Sequence, residues 1–270
     1  MTLDVLDPEG DYTLRCGDTE FLVSSKSVSL AAPQLSRASI QLLASENPRT
    51  VRIFLNIAHH LSDDVPTVIN GDDVLSLANF VDKYKCHSAI TAHAQQWLQR
   101  NWEGLSGEDL WKALRFACTM NIEKDYIQIF RQLVTSHAGP FHSWAFAANN
   151  NSSVPEDTLD ALDKHQTRLR FVTLEAVLDM PALLAESDCQ QAQVFIGSYM
   201  QSLRRLGILP GTTSFQSKTY SEVRGQARQL PIAWYPAHAS GCCSTYIWLE
   251  QRGHLLEKLE DCLSRMSEDH

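Results

Sequence analysis

Apolar and polar positions alternate at the start of the chain and then change to a helical period. Tyr12, Leu14 and Cys16 alternate with Thr13 and Arg15, Gly17-Asp18 offers a two-residue turn, and Phe21 and Val23 resume the alternation. That pattern predicts a β-hairpin over Tyr12–Cys16 and Thr19–Val23. Ser24-Ser25 suits the cap of a short helix through Ala32, which Pro33 stops. Ile40 and Leu42 alternate again, predicting a brief third strand over Ile40–Leu43.

Helical spacing follows. Asn47 and Pro48 fit an N-cap and a first helical position, and Val51, Phe54, Leu55 and Ala58 recur at helical intervals. A second helix opens near Asn70 with Val74, Leu77, Ala78, Val81 and Tyr84 on one stripe. A third covers about Ser88 to Asn101, with Ile90, Ala94, Trp97 and Leu98 inward. Ser106 and Asp109 resemble a capping box ahead of Leu110, Leu114 and Ala117, and Tyr126, Ile129, Phe130 and Leu133 form one more amphipathic set. The polar run Asn149–Ser153 marks a linker or exposed loop. Beyond it, helices are expected over about Glu156–Leu178, Gln190–Leu206 and Thr245–Met266, with a loop from Gly207 to Lys218. The helix carrying Phe195, Ile196, Tyr199, Met200 and Leu203 and the one carrying Ile247, Leu255, Leu259 and Met266 each need a partner, because a lone amphipathic helix is marginal in water. Cys189 to Met266 is expected to fold onto the helices of about 104–145 that extend the N-terminal unit, with no free-standing catalytic domain.

Composition narrows the function classes. The 270 residues carry 23 Lys+Arg against 32 Asp+Glu, a formal charge of −9. An acidic chain without a long basic run lacks the footprint for direct nucleic-acid binding. Met1–Gly10 has neither the basic nor the apolar region of a secretory signal, and no apolar run reaches the roughly 18 residues of a membrane span. Seven scattered cysteines with no CxxC pair fit reduced thiols, so a cytoplasmic or nuclear, non-secreted protein is expected.

Candidate chemistry is sparse. His238 and Cys242, with Cys243 beside them and Cys189 upstream, have donor types that could hold a structural zinc, for which Cys189, His238 and Cys242 are the nominated ligands. No fourth ligand is obvious, although His254 lies nearby in sequence. The plainer reading is a loop histidine beside small buried thiols, with no cofactor. A Cys-His nucleophile from Cys242 and His238 lacks any recognisable oxyanion loop or orienting acid, so no catalytic residue is assigned. Glu46, Asp63-Asp64 and Asp72-Asp73 sit where caps and solvated loops are expected. His59-His60 follows a helix end, where imidazolium suits the dipole. Arg168, Arg170, Arg204 and Arg205 form short basic islands expected on solvated helix faces, and no phosphate-cradling glycine motif occurs.

Several segments in order resemble the BTB/POZ domain, in the version common in filamentous fungi. They are Leu6-Asp7-Pro8-Glu9-Gly10-Asp11 with Tyr12-Thr13-Leu14, the stretch Phe21 to Pro33, Val65-Pro66, and Leu75 to Cys86 with its Asp82-Lys83-Tyr84-Lys85-Cys86 motif. Trp97-Leu98 and Asp109-Leu110-Trp111-Lys112 continue the similarity, which covers roughly the first half of the chain. The second half resembles the C-terminal region of the same fungal proteins more loosely, through Cys189, Pro210, Pro231, Trp234, His238 and Cys242. The resemblance implies a small sheet covered by helices and a role in protein–protein association, often as a homodimer. It departs from the family after Pro33, where only Gln34 to Ser39 precede Ile40. The family's loop that helps dock cullin scaffolds is shortened there, which argues against cullin binding.

The combined expectation is an α+β protein: a BTB/POZ-like unit over residues 6–103, a helical extension over 104–145 and a mostly helical region over 146–270. Phe21, Val23, Leu30, Phe54, Leu77 and Trp97 are its expected core. The expected role is a non-catalytic scaffold or adaptor with protein partners, self included. Two alternatives stand beside it: a transcriptional or ubiquitin-pathway regulator acting through a partner, and a zinc- or thiol-dependent enzyme using His238 and Cys242.

Overall fold

The structure is a computed structural model that describes residues 2–36, 45–99, 104–149, 154–155, 157–185, 190–232, 234–238 and 246–267. It is mostly helical with a small three-stranded sheet at the N-terminus, an α+β architecture. The chain divides into two compact units, one of Met1–Gln132 and Phe146–Glu156, the other of Leu133–Ala145 and Asp157–His270.

The first unit begins with β1 (Thr2–Val5), β2 (Tyr12–Cys16) and β3 (Thr19–Val23). The predicted hairpin forms, with Leu14 opposite Phe21 and Tyr12 opposite Val23. Gly17 opens its turn at φ +57°, a left-handed conformation that suits glycine. The alternation sorts the faces: Leu14, Cys16, Phe21 and Val23 are buried, while Arg15 is exposed. Strand β1, which the hydrophobic pattern did not predict, runs parallel to β3 and gives the order β1-β3-β2. Gly10, between β1 and β2, lies where a Cβ would come 2.8 Å from the Val23 carbonyl oxygen, so a side chain has no room there. The third strand expected at Ile40–Leu43 lies outside the described residues.

Helices α1 (Ser25–Ala31), α2 (Pro33–Ser36), α3 (Pro48–Ala58), α4 (Gly71–Tyr84), α5 (His87–Leu98), α6 (Gly107–Thr119), α7 (Glu123–Ser136) and α8 (Ala145–Asn149) follow, α7 belonging to this unit up to Gln132 and α8 from Phe146, with the end of α7 from Leu133 in the second unit. The predicted caps are in place. Ser24, Asn47, Asn70 and Ser106 each accept a main-chain N–H of the first turn that would otherwise lack a partner. Four contiguous core stripes result: Val51, Phe54 and Leu55 on α3; Leu77, Phe80 and Val81 on α4; Ile90, Ala94 and Trp97 on α5; Leu110, Trp111 and Leu114 on α6. Leu30 is a correction. It faces solvent at 74% exposure, because α1 is a short helix whose one buried side chain is Val28.

In the second unit come α9 (Thr158–Ala185), α10 (Gln190–Arg205), α11 (Thr213–Gln216), α12 (Tyr220–Ala227), β4 (Trp234–His238), β5 (Tyr246–Glu250) and α13 (Gln251–Ser267). Helix α9 is the axis of this unit, packed by α10, α12 and α13. It runs past the expected end at Leu178 and through Pro181. Proline has no N–H, so the Val177 carbonyl four residues back loses its helical donor. The Tyr199 hydroxyl of α10 donates to that oxygen at 3.2 Å instead. The last helix also starts later than expected. Residues 246–250 pair antiparallel with β4, from Trp234 opposite Glu250 to His238 opposite Tyr246, as suits a run rich in aromatic and β-branched residues. The segment Gly207–Lys218, expected as a loop, contains the short α11 capped by Thr212.

The stripes set a measurable core. Phe54 is fully buried and lies 5.1 Å, ring centre to ring centre, from Phe80. Phe54→Ala is expected to destabilise the protein by about 3–5 kcal/mol in urea unfolding followed by circular dichroism. Leu30→Ser is expected to shift stability by no more than about 0.5 kcal/mol.

Candidate functional site

The nominated metal ligands divide between described and undescribed residues. Cys189 and Cys242 lie outside the described residues, as does Cys243. His238 is the last residue of β4, where only its backbone is described. His254 is engaged elsewhere: its Nε2 lies 2.7 Å from Oδ2 of Asp179 on α9, with Lys258 Nζ 3.5 Å from the same oxygen. Among the described residues no group of three His, Cys, Asp or Glu side chains is placed to hold a metal.

Asp63 and Asp64 are exposed, and the other acidic candidates are engaged in structural bonds. Glu46 Oε1 is 2.5 Å from Lys83 Nζ and accepts from the Tyr84 hydroxyl at 3.1 Å. Asp72 pairs with Lys112 at 2.7 Å, and Asp73, in the first turn of α4, pairs with Arg49 at 3.1 Å. Cys16, Cys86, Cys118 and Cys262 are free thiols, and Cys16, Cys86 and Cys262 are buried. Burial raises the thiols of Cys16, Cys86 and Cys118, which keeps them protonated and poor as nucleophiles.

The residues that carry the family resemblance form a clamp. Lys83 and Tyr84 both reach Glu46, Asp82 pairs with Lys85 at 2.7 Å, and Lys85 ends α4 in a left-handed conformation. Cys86 is then fully buried at the entry to α5. Val65-Pro66 is tied to Trp97, whose indole N–H donates to the Pro66 carbonyl at 2.8 Å. His59 holds a different joint. Its Nδ1 lies 2.9 Å from the Leu55 carbonyl and its Nε2 accepts the Ser24 N–H at 3.0 Å. A nitrogen that accepts carries no proton, so the imidazolium expected at this helix end is replaced by a neutral ring joining α3 to the start of α1. His60 beside it is exposed.

The N-terminal strand presents a surface that the hydrophobic pattern did not nominate. The parallel register sets Asp4 beside Phe21 and Val5 beside Leu22. Successive strand residues face opposite sides, so Asp4 shares the core face with Phe21 while Leu3 and Val5 share the outer face. Arg52 of α3 pairs with Asp4 at 2.5 Å and accounts for the inward acid. Leu3 and Val5 are left 61% and 50% exposed. A strand with its charge inward and its hydrocarbon outward reverses the usual sorting of a half-buried sheet. Among the described residues β1 is also a sheet edge, with main-chain groups available to another strand. The alternation Leu3-Asp4-Val5 is visible in sequence and is the signal that would have found it.

No family model, curated protein or solved structure matches the chain. Among the described residues no helix is long and apolar enough to cross a membrane.

The thiol of Cys86 has no exposure, and burial pushes its pKa up to about 12. In an unfolded chain a cysteine titrates near ~8.5. The folded state therefore keeps a proton that the unfolded chain releases. That contribution to stability is full below the unfolded pKa and is lost as pH climbs toward about 12. At about pH 8.5, iodoacetamide is expected to leave Cys86 unmodified in the native protein and to alkylate it in urea, as read by peptide mass spectrometry. Rapid native labelling would show that the thiol is open to solvent.

Proposed function

We propose that this protein is a non-catalytic association module of the BTB/POZ type, acting as a scaffold or adaptor, and that its N-terminal unit pairs with a second copy of itself. The observation that carries the reading is β1, an edge strand with Leu3 and Val5 turned outward and its acid held inward by Arg52. Two copies of such a strand can meet about a two-fold axis, each supplying main-chain groups to the other and covering the other's exposed hydrocarbon. The hairpin running into a capped helix, and the Asp82–Cys86 clamp after α4, support the BTB/POZ assignment. Buried, protonated thiols and ion-paired carboxylates support a binding role over a catalytic one.

The test is the state of association. At tens of micromolar, about where a micromolar dimer is well populated, the wild-type chain is expected to elute as a dimer in size-exclusion chromatography with light scattering. The double variant Leu3→Lys, Val5→Lys is expected to elute as a monomer with an unchanged circular dichroism spectrum. A monomeric wild type overturns self-association. A dimer unaffected by the double variant removes β1 as its surface.

A further inference from the structure

The second unit contains a cavity of about 410 Å³, within the roughly 300–1,000 Å³ range of small-molecule sites. Its floor is one face of α9, and its other walls come from the end of α7, the 211–218 segment and α12. Val134, Leu169, Leu174, Phe215 and Val223 supply hydrocarbon walls. Phe171, 58% exposed, stands among the lining residues on the solvent side.

The ionisable lining is of one sign. Arg170, Lys218 and His137 are present, and no Asp or Glu lines the cavity. In a chain of formal charge −9 this does not follow from composition. Three of the neutral polar groups, Gln166, Thr173 and Tyr220, are already committed, the last through its hydroxyl to the Leu259 carbonyl at 2.6 Å. Gln166 Nε2 donates to the His137 carbonyl at 2.7 Å and the Thr173 hydroxyl donates to the Leu169 carbonyl at 2.6 Å. His137 is stacked against Trp144 at 4.8 Å, and burial lowers its pKa and favours the neutral ring. Arg170 donates one N–H to the Ala138 carbonyl, and a guanidinium has five such donors. Lys218 has no carboxylate partner among the described residues, and its ammonium needs an acceptor.

We infer that this cavity binds an amphiphilic carboxylate, its alkyl or aryl body against Val134, Leu169, Leu174, Phe215 and Val223 and its carboxylate on Lys218 and Arg170. A hydrocarbon pocket with cations at hand favours an anion over the alcohol or amine of the same chain, because a hydroxyl accepts a hydrogen bond without charge and an alkylammonium offers no acceptor and repels the cations. This site is independent of the association surface on β1.

Isothermal titration of the full-length protein with octanoate, octan-1-ol and octylammonium tests it. Octanoate is expected to bind saturably at one site and octylammonium not to bind. Lys218→Met keeps an unbranched side chain one atom shorter and removes its charge. It is expected to weaken octanoate about tenfold, the order of one charge-assisted hydrogen bond, and to leave octan-1-ol unchanged. Leu174→Trp fills the pocket and is expected to abolish both, with thermal unfolding measured alongside to establish that each variant is folded. Absence of saturable octanoate binding, equal binding of octylammonium, or full octanoate affinity in folded Lys218→Met would overturn the inference.

Discussion

Helix α3 is enclosed on nearly every side, and the N-terminal unit is arranged around that constraint. Thr50, Val51, Ile53, Phe54, Leu55, Asn56, Ile57 and Ala58 are all buried, with Arg49 and Arg52 the long side chains that reach out. Polar groups on the buried faces have no water, so neighbouring segments must supply partners. Asn56 donates to the Asp64 carbonyl at 3.0 Å and fixes the turn that follows. His59 at the C-terminal end takes the Ser24 N–H and so locates the start of α1. Arg52 pairs with Asp4 and thereby sets which face of β1 is turned inward. The outward hydrocarbon of that strand is thus a consequence of the charge on α3.

The residues that resemble a BTB/POZ domain do architectural work. Asp82, Lys83, Tyr84 and Lys85 end α4, tie it to Glu46 and turn the chain so that Cys86 enters the core. These bonds join one part of the fold to another, and a fold by itself does not specify a partner.

The sequence was legible where local rules and burial agree. The caps at Ser24, Asn47, Asn70 and Ser106 and the stripes through Phe54, Leu77, Trp97 and Leu114 follow directly from residue type and spacing. It was less legible where tertiary contacts override local preference. Pro181 would end an isolated helix, and α9 continues because a side chain from α10 satisfies the freed carbonyl. Leu30 looks like core and is exposed because α1 is too short to bury two faces. Thr2–Val5 is short, and its apolar residues face the side from which burial is absent. The cavity of the second unit could not be seen in sequence at all, since its walls come from four separate segments and only its charges set it apart.

The bond between Tyr199 and the Val177 carbonyl couples two helices of the second unit. The turn of α9 from Val177 to Pro181 lacks a main-chain bond, because Pro181 has no N–H for the Val177 carbonyl, and the Tyr199 hydroxyl of α10 fills that acceptor. Once α10 has docked, both segments gain at the same moment, one a filled acceptor and the other a buried phenol with its proton placed. Opening α10 would leave the Val177 carbonyl buried without a donor, so the two helices are energetically coupled at this turn.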